Sequence, residues 1–169
     1  MNASAASHNG LTFDPELYTV ALRALIVSKA GVLLIRPRLR AESDDRWYRL
    51  PGGPGAEGEM FPDALVRHIR EQTGLSFAAT AATLRAMDST PGSAAIIGGV
   101  TFYYSLAAAP SDHVALVLSE KHDHATWATD MDLEHLCTPS QVTQVKAALA
   151  ALRDDDVVEL YAGRRRTAP

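Results

Sequence analysis

Apolar residues along this chain come in short runs divided by polar, glycine or proline breaks, and the spacing inside each run predicts its element. Leu17–Ser28 (LYTVALRALIVS) is dense in β-branched and aliphatic residues and stops at Lys29-Ala30-Gly31, after which Val32–Leu39 (VLLIRPRL) resumes the pattern. The pair predicts a β-hairpin, with Pro37 putting the end of its second strand at a sheet edge or past it. A polar loop (RAESDD) and a short aromatic strand, Arg46–Leu50, then lead into Pro51-Gly52-Gly53.

From Pro62 to Thr73 the period lengthens. Leu65, Val66, Ile69 and Thr73 share one side of a helical wheel, Pro62 and Asp63 suit a first turn, and Gly74 supplies a stop. Two strand-like runs, Phe77–Ser89 and Ala94–Ala107, flank the turn cluster TPGS, and Gly98-Gly99 suggests a bulge or close backbone approach in the second. A short strand around Trp127, a helical turn at Asp130–Leu136 and a last helix opening at Thr138-Pro139 complete the order. On that helix Val142, Val145, Leu149 and Leu152 recur at amphipathic spacing. Strands, helix, strands, helix, with hairpin-length links, predict an α+β fold with a mixed sheet between helices rather than a doubly wound one. The expected boundaries are a tail over 1–14, one domain over 15–155 and a C-terminal tail over 156–169.

Length and charge narrow the classes. At 169 residues the chain suits one domain, and a formal charge of −4 is the wrong sign for a nucleic-acid or membrane-surface binder. Arg164, Arg165 and Arg166 form the single basic run, read as solvated tail charge. A lone Cys137 cannot form an internal disulfide, the first ten residues lack a signal-peptide pattern, and no apolar run approaches the roughly 20 residues that span a bilayer. A cytoplasmic location follows as the expectation. Unpaired sheet edges and the apolar run Ala94–Ala107 fit a homodimer.

Candidate chemistry concentrates between Leu50 and Leu75 (LPGGPGAEGEMFPDALVRHIREQTGL). Gly52 and Gly53 let backbone groups approach a ligand closely, and Glu57, Glu59 and Asp63 put negative charge near a helix start. His68, Glu71 and Gln72 are helical neighbours bordering the core face, and Arg67 lies one turn before Glu71. Such a patch facing a glycine turn suits a ligated cation. It equally suits the polar rim of an amphipathic helix, and spacing alone does not separate the two.

The segment resembles the Nudix box, whose pattern is G, five residues, E, seven residues, then R-E-U-x-E-E-x-G-U, U being aliphatic. Gly53, Glu59, Arg67, Ile69, Glu71, Gly74 and Leu75 occupy seven of its nine specified positions. SEKHDHATW, Ser119–Trp127, is similar to a later E-H-x-E-x-x-W element, and the likeness extends from Leu17 to about Leu152. The resemblance implies an α/β/α sandwich with a mixed β-sheet between helices, hydrolysing the diphosphate linkage of a nucleotide derivative with Mg²⁺ or Mn²⁺. It implies the Gly53 carbonyl and Glu71 as metal ligands, with Glu59 and Arg67 bracing loop against helix. Glu59 counts with the metal group too, and Arg23, Arg36 and Arg38 on the first hairpin are candidate phosphate contacts.

Two positions depart from the pattern. His68 and Gln72 stand where the family carries carboxylates, and His124 stands where related chains often carry another acid. A hard cation prefers charged oxygen ligands. Gln72 offers a neutral carbonyl oxygen and His68 only nitrogen, so both are expected as weak ligands at most. Three readings stay open: a hydrolase weakened or altered in its metal, with Glu120, His122 or His124 contributing; a nucleotide-binding module without catalysis; and a scaffold used for interaction.

Overall fold

Alternation along two strands decides the architecture. In β1 (Tyr18–Leu25), Leu22 and Ala24 enter a core cluster with Leu65 and Ile69, whereas Leu25 enters a second cluster with Val145 and Leu149. In β3 (Gly31–Pro37), Val32 and Leu34 join the second cluster and Leu33 the first. Strands buried on both faces need a cover on each side. One side is α1 (Phe61–Thr73); the other is α3 (Pro139–Asp154), beside the short α2 (Asp130–Leu136).

This computed structural model describes residues 18–38, 46–92, 98–106 and 115–166. The remaining strands are β2 (Val27–Ser28), β4 (Gly52–Pro54), β5 (Ala82–Thr90), β6 (Gly98–Leu106), β7 (His122–Ala128), β8 (Val158–Tyr161) and β9 (Arg164–Arg165). Six strands form a mixed sheet in the order β4-β1-β6-β5-β8-β9, and β2-β3-β7 form a second, antiparallel one. The expected α+β sandwich is therefore observed. Among the described residues no helix is long and apolar enough to cross a membrane.

Three expectations change. The first hairpin is confined to β2 and β3, because β1 leaves that ladder at Ile26 and pairs parallel with β6 and antiparallel with β4. A strand apolar on both faces takes a central place, not a hairpin edge. Arg46–Leu50 forms no strand; Arg49 makes one isolated bridge to Ile35. The segment after Asp155, expected as tail, supplies β8 parallel to β5, with Val158 and Leu160 buried. Residues 39–45, which include the expected polar loop, and 93–97, the end of the expected turn and the start of the second strand-like run, lie outside the described residues, as do 1–17, 107–114 and 167–169.

Helix ends follow local chemistry. Thr138 and Gln141 form a capping box at α3 ahead of Pro139, and Thr129 with Asp132 does the same at α2. Gly74, in the left-handed conformation, closes α1 by donating to Arg70 O. The buried face of α1 is Ala64, Leu65, Ile69 and Thr73, while Val66 stays partly exposed. Because Ile69 is fully buried under β1, Ile69→Ala is expected to cost about 2–4 kcal/mol in urea unfolding.

Candidate active site

A glycine is required at 52 by geometry. Its φ is +144°, and a Cβ there would lie 2.0 Å from Leu22 O. That close approach to β1 lets the turn run along the flank of α1. Gln72 reaches across from the helix and pairs with the Gly52 peptide twice: Nε2 donates to Gly52 O at 2.7 Å, and Oε1 accepts from Gly52 N at 2.9 Å. One residue further, the ring of His68 covers Gly53 so tightly that a Cβ at 53 would sit 2.5 Å from its Cε1. Its Nε2 lies 2.9 Å from Pro54 O. The two departures from the box pattern therefore bind helix to turn by hydrogen bonds.

The flanking residues make a charged brace. Arg67 donates from Nε and Nη2 to the two oxygens of Glu59, at 2.9 and 2.8 Å, which holds the Glu59 carboxyl below its usual range. Its Nη1 lies 3.6 Å from Glu71, whose carboxylate is largely exposed. Beside this face opens a cleft of about 450 Å³, lined by Gly52–Pro54, His68, Glu71, Gln72 and Ser119–His122. His122 accepts or donates through Nδ1 with Ser119 Oγ at 2.9 Å, and burial, with the nearby charges of Arg49 and Lys121, lowers its pKa.

The structure thus brings Gly53, His68, Glu71, Gln72, Glu120 and His122 to one cleft, with Glu59 and Arg67 behind it. It places others elsewhere. Arg36 is engaged with Asp123 at 2.8 Å and lies over the Tyr48 ring. Arg38 follows the end of β3, where its backbone N donates to Lys121 O. His124 is hydrogen-bonded through Nδ1 to Tyr48 Oη at 2.8 Å. Arg23 lines a separate cavity on the α3 side with Arg49, Thr101, Tyr103, Gln141 and Gln144. Sequence reasoning missed that polar layer, although Arg23 and Asp88 stand at core phases of β1 and β5. Cys137, also at this cavity, has its thiol pushed up to about 11 by burial, in keeping with an inert core position.

A divalent ion of the kind the resemblance implies does not fit these residues as they stand. Gln72 has both amide ends bonded to Gly52, and the His68 ring fills the space over Gly53. Glu59 is engaged by Arg67. Glu71 and Glu120 are the carboxylates left in the cleft lining, and among the described residues no three of His, Cys, Asp or Glu are grouped to hold an ion. A hard cation needs several oxygen ligands, and this face supplies too few.

The model of the NUDIX domain family matches residues 17–156. A MutT NUDIX hydrolase from Burkholderia pseudomallei superposes with a TM-score of 0.61 at 24% identity, covering 80% of this chain and 98% of that one. A MutT protein from Methanosarcina mazei Go1 gives 0.62 at 16%, covering 82% and 95%. An ADP-ribose pyrophosphatase from Streptococcus suis gives 0.57 at 17%, covering 85% and 98%. Among curated proteins nothing matches. At these identities the structural likenesses show the fold.

The hydrogen-bonded clamp makes two predictions. Gln72→Met strands the Gly52 N–H and carbonyl and is expected to cost about 1–3 kcal/mol in chemical unfolding. The wild-type melting temperature should agree within about 1 °C between EDTA and millimolar Mg²⁺, since the described residues hold no preformed ion site to link binding to folding. A larger rise with Mg²⁺ would show a seat for the ion that the clamp argument denies.

Proposed function

The chain belongs to the NUDIX domain family, and from that premise we propose that it holds the diphosphate of a nucleotide derivative in the cleft beside Gly52–Pro54 as a ligand-binding domain. Hydrolases of this family generally use divalent metal ions. The observation that supports binding over turnover is the clamp: Gln72 on the Gly52 peptide and His68 across Gly53 occupy the face on which ligand carboxylates would stand. In their place the cleft offers Lys121 as a cation and the backbone of the turn. His122 adds an imidazole whose Nε2 carries the hydrogen when Ser119 Oγ donates to Nδ1. Lowered in pKa, His122 is neutral at physiological pH and acts there as a hydrogen-bonding group.

A second reading, slow hydrolysis of the diphosphate linkage, is favoured by the intact Glu59–Arg67 brace with Glu71 beside it. The two readings give opposite signs at Glu71. A bare diphosphate beside the Glu71 and Glu120 carboxylates is repelled by them, with Lys121 the one formal cation among the described residues of the cleft lining. Under the binding reading, Glu71→Gln should tighten ADP about threefold in EDTA, by titration calorimetry. Under the hydrolytic reading the same variant abolishes product release from ADP-ribose in Mn²⁺ or Mg²⁺. Robust wild-type turnover on any nucleotide of a panel would overturn the first reading, and finding neither heat nor turnover with any of them would remove both readings.

A further inference from the structure

Arg23 stands where the strand pattern calls for a core residue. Leu22 and Ala24 serve the α1 side of β1, and Leu25, in phase with Arg23, is buried on the α3 side. Its register partner on β6 is Tyr103, buried in that same α3-side cluster. Across the sheet, Asp88 of β5 pairs with Thr101 and is itself buried. Together these make a polar row inside an otherwise apolar layer, roofed by Gln141 and Gln144 of α3.

The row is satisfied on one side only. Asp88 accepts from Gln144 Nε2 and from Gly163 N at 3.0 Å, so its charge is met by donors. Arg23 makes, among the described residues, one bond, from Nη1 to Leu22 O at 3.3 Å, and no ion pair. Burial lowers its pKa, and the neighbouring charge of Arg49 lowers it further. None of the buried side-chain nitrogens and oxygens described lacks a partner, so the remaining Arg23 N–H groups have access to open space. That space is a cavity of about 130 Å³, and among the described residues its lining sets the guanidinium groups of Arg23 and of Arg49, which has a partner of its own, among neutral side chains. A polar cavity of this size takes several waters or one small oxyanion.

A half-buried cation with no ion pair among the described residues is stabilised by a group that supplies the opposite charge. Here the position is well placed for a ligand to do so. Arg23 is the register partner of Gly52, and Arg49 and Leu50 of the cavity wall lead directly into the glycine turn. The cavity and the diphosphate cleft thus lie on opposite sides of one short stretch of backbone.

We propose that this cavity binds an oxyanion, a carboxylate or a phosphate monoester, carried by the same nucleotide derivative whose diphosphate lies in the cleft. The inference rests on the binding reading above and adds the ligand's charge class. The guanidinium of Arg23 supplies a planar pair of donors, and Gln141, Gln144 and Thr101 supply neutral donors around it. The wall excludes a buried cation and gives a neutral end no compensation for dehydrating Arg23.

Matched probes test this on the full chain. UDP-glucuronate and UDP-glucose differ by a carboxylate, and NADP⁺ and NAD⁺ by a phosphate monoester. Calorimetry is expected to show a preference of about tenfold for the acidic member of one pair, falling to less than about twofold in Arg23→Met. Which pair discriminates identifies the oxyanion. Arg23→Met should melt at or above the wild-type temperature, because it removes a desolvated charge, whereas a purely structural arginine would melt lower when replaced. If that variant fails to fold, Arg23→Lys keeps the charge, and loss of the planar fork should still reduce the preference about threefold. Equal binding within both pairs would overturn the oxyanion proposal and leave the diphosphate reading standing. If no nucleotide binds, inorganic phosphate at about 10 mM decides. A rise in melting temperature of wild type but not of Arg23→Met upholds the cavity without the diphosphate reading, and no rise ends both.

Discussion

The double hydrogen bond between the Gln72 amide and the Gly52 peptide is the contact on which the site's character depends. It joins the outer face of α1 to the turn that pairs with β1, and it does so with neutral groups. A carboxylate at 72 would meet the Gly52 N–H but repel the Gly52 carbonyl. Two such carboxylates, at 68 and 72, would need a cation between helix and turn to offset their charge. Gln72 and His68 remove that need, since each satisfies a backbone group directly. Helix and turn are thereby joined by hydrogen bonds alone at these two positions.

That exchange explains why part of the box pattern is intact while part is altered. Glu59 and Arg67 make a bidentate pair whose task is to fix the loop against the helix, and the task is the same whichever groups cross-link the turn. Gly52 and Gly53 are held by contacts with Leu22 and His68 at distances no side chain tolerates. Glu71, by contrast, is exposed, and among the described residues its ion pairs are with its helical neighbours Arg67 and His68. Its position is open to charge tuning without cost to the core.

The two faces of the main sheet carry different burdens. Beneath α1, Leu22, Ala24, Ile69 and Leu65 make an apolar layer that holds the helix in register with the turn. On the α3 side the layer is interrupted by Arg23, Tyr103 and Asp88, and burial together with the Asp88 charge raises the Tyr103 pKa. A polar row in such a place costs stability unless its groups are matched, and among the described residues Asp88 is met by two donors while Arg23 makes one bond, to Leu22 O. The apolar side builds the scaffold, and the interrupted side opens on the cavity that Arg23 lines.

Much of this was legible in the residues. The helix Pro62–Thr73 and its stop at Gly74, the Thr138-Pro139 start of α3, and the seven matched box positions are local signals, each set by residues a few places apart. They determined the fold class and located the glycine turn beside the helix. Other features depended on partners far away in the chain. Whether β1 pairs with β3 or with β6 is settled by burial on both its faces, and β8 is a strand because β5 leaves it an edge. Whether Gln72 and His68 ligate an ion or clasp the turn depends on ångström-scale approach of α1 to Gly52–Pro54. Arg23 reads as a surface arginine in the sequence, and only the packing of α3 over β1 and β6 turns it into a cation facing a cavity. Periodicity reports which face a residue takes; what waits on that face is decided by the assembled layers.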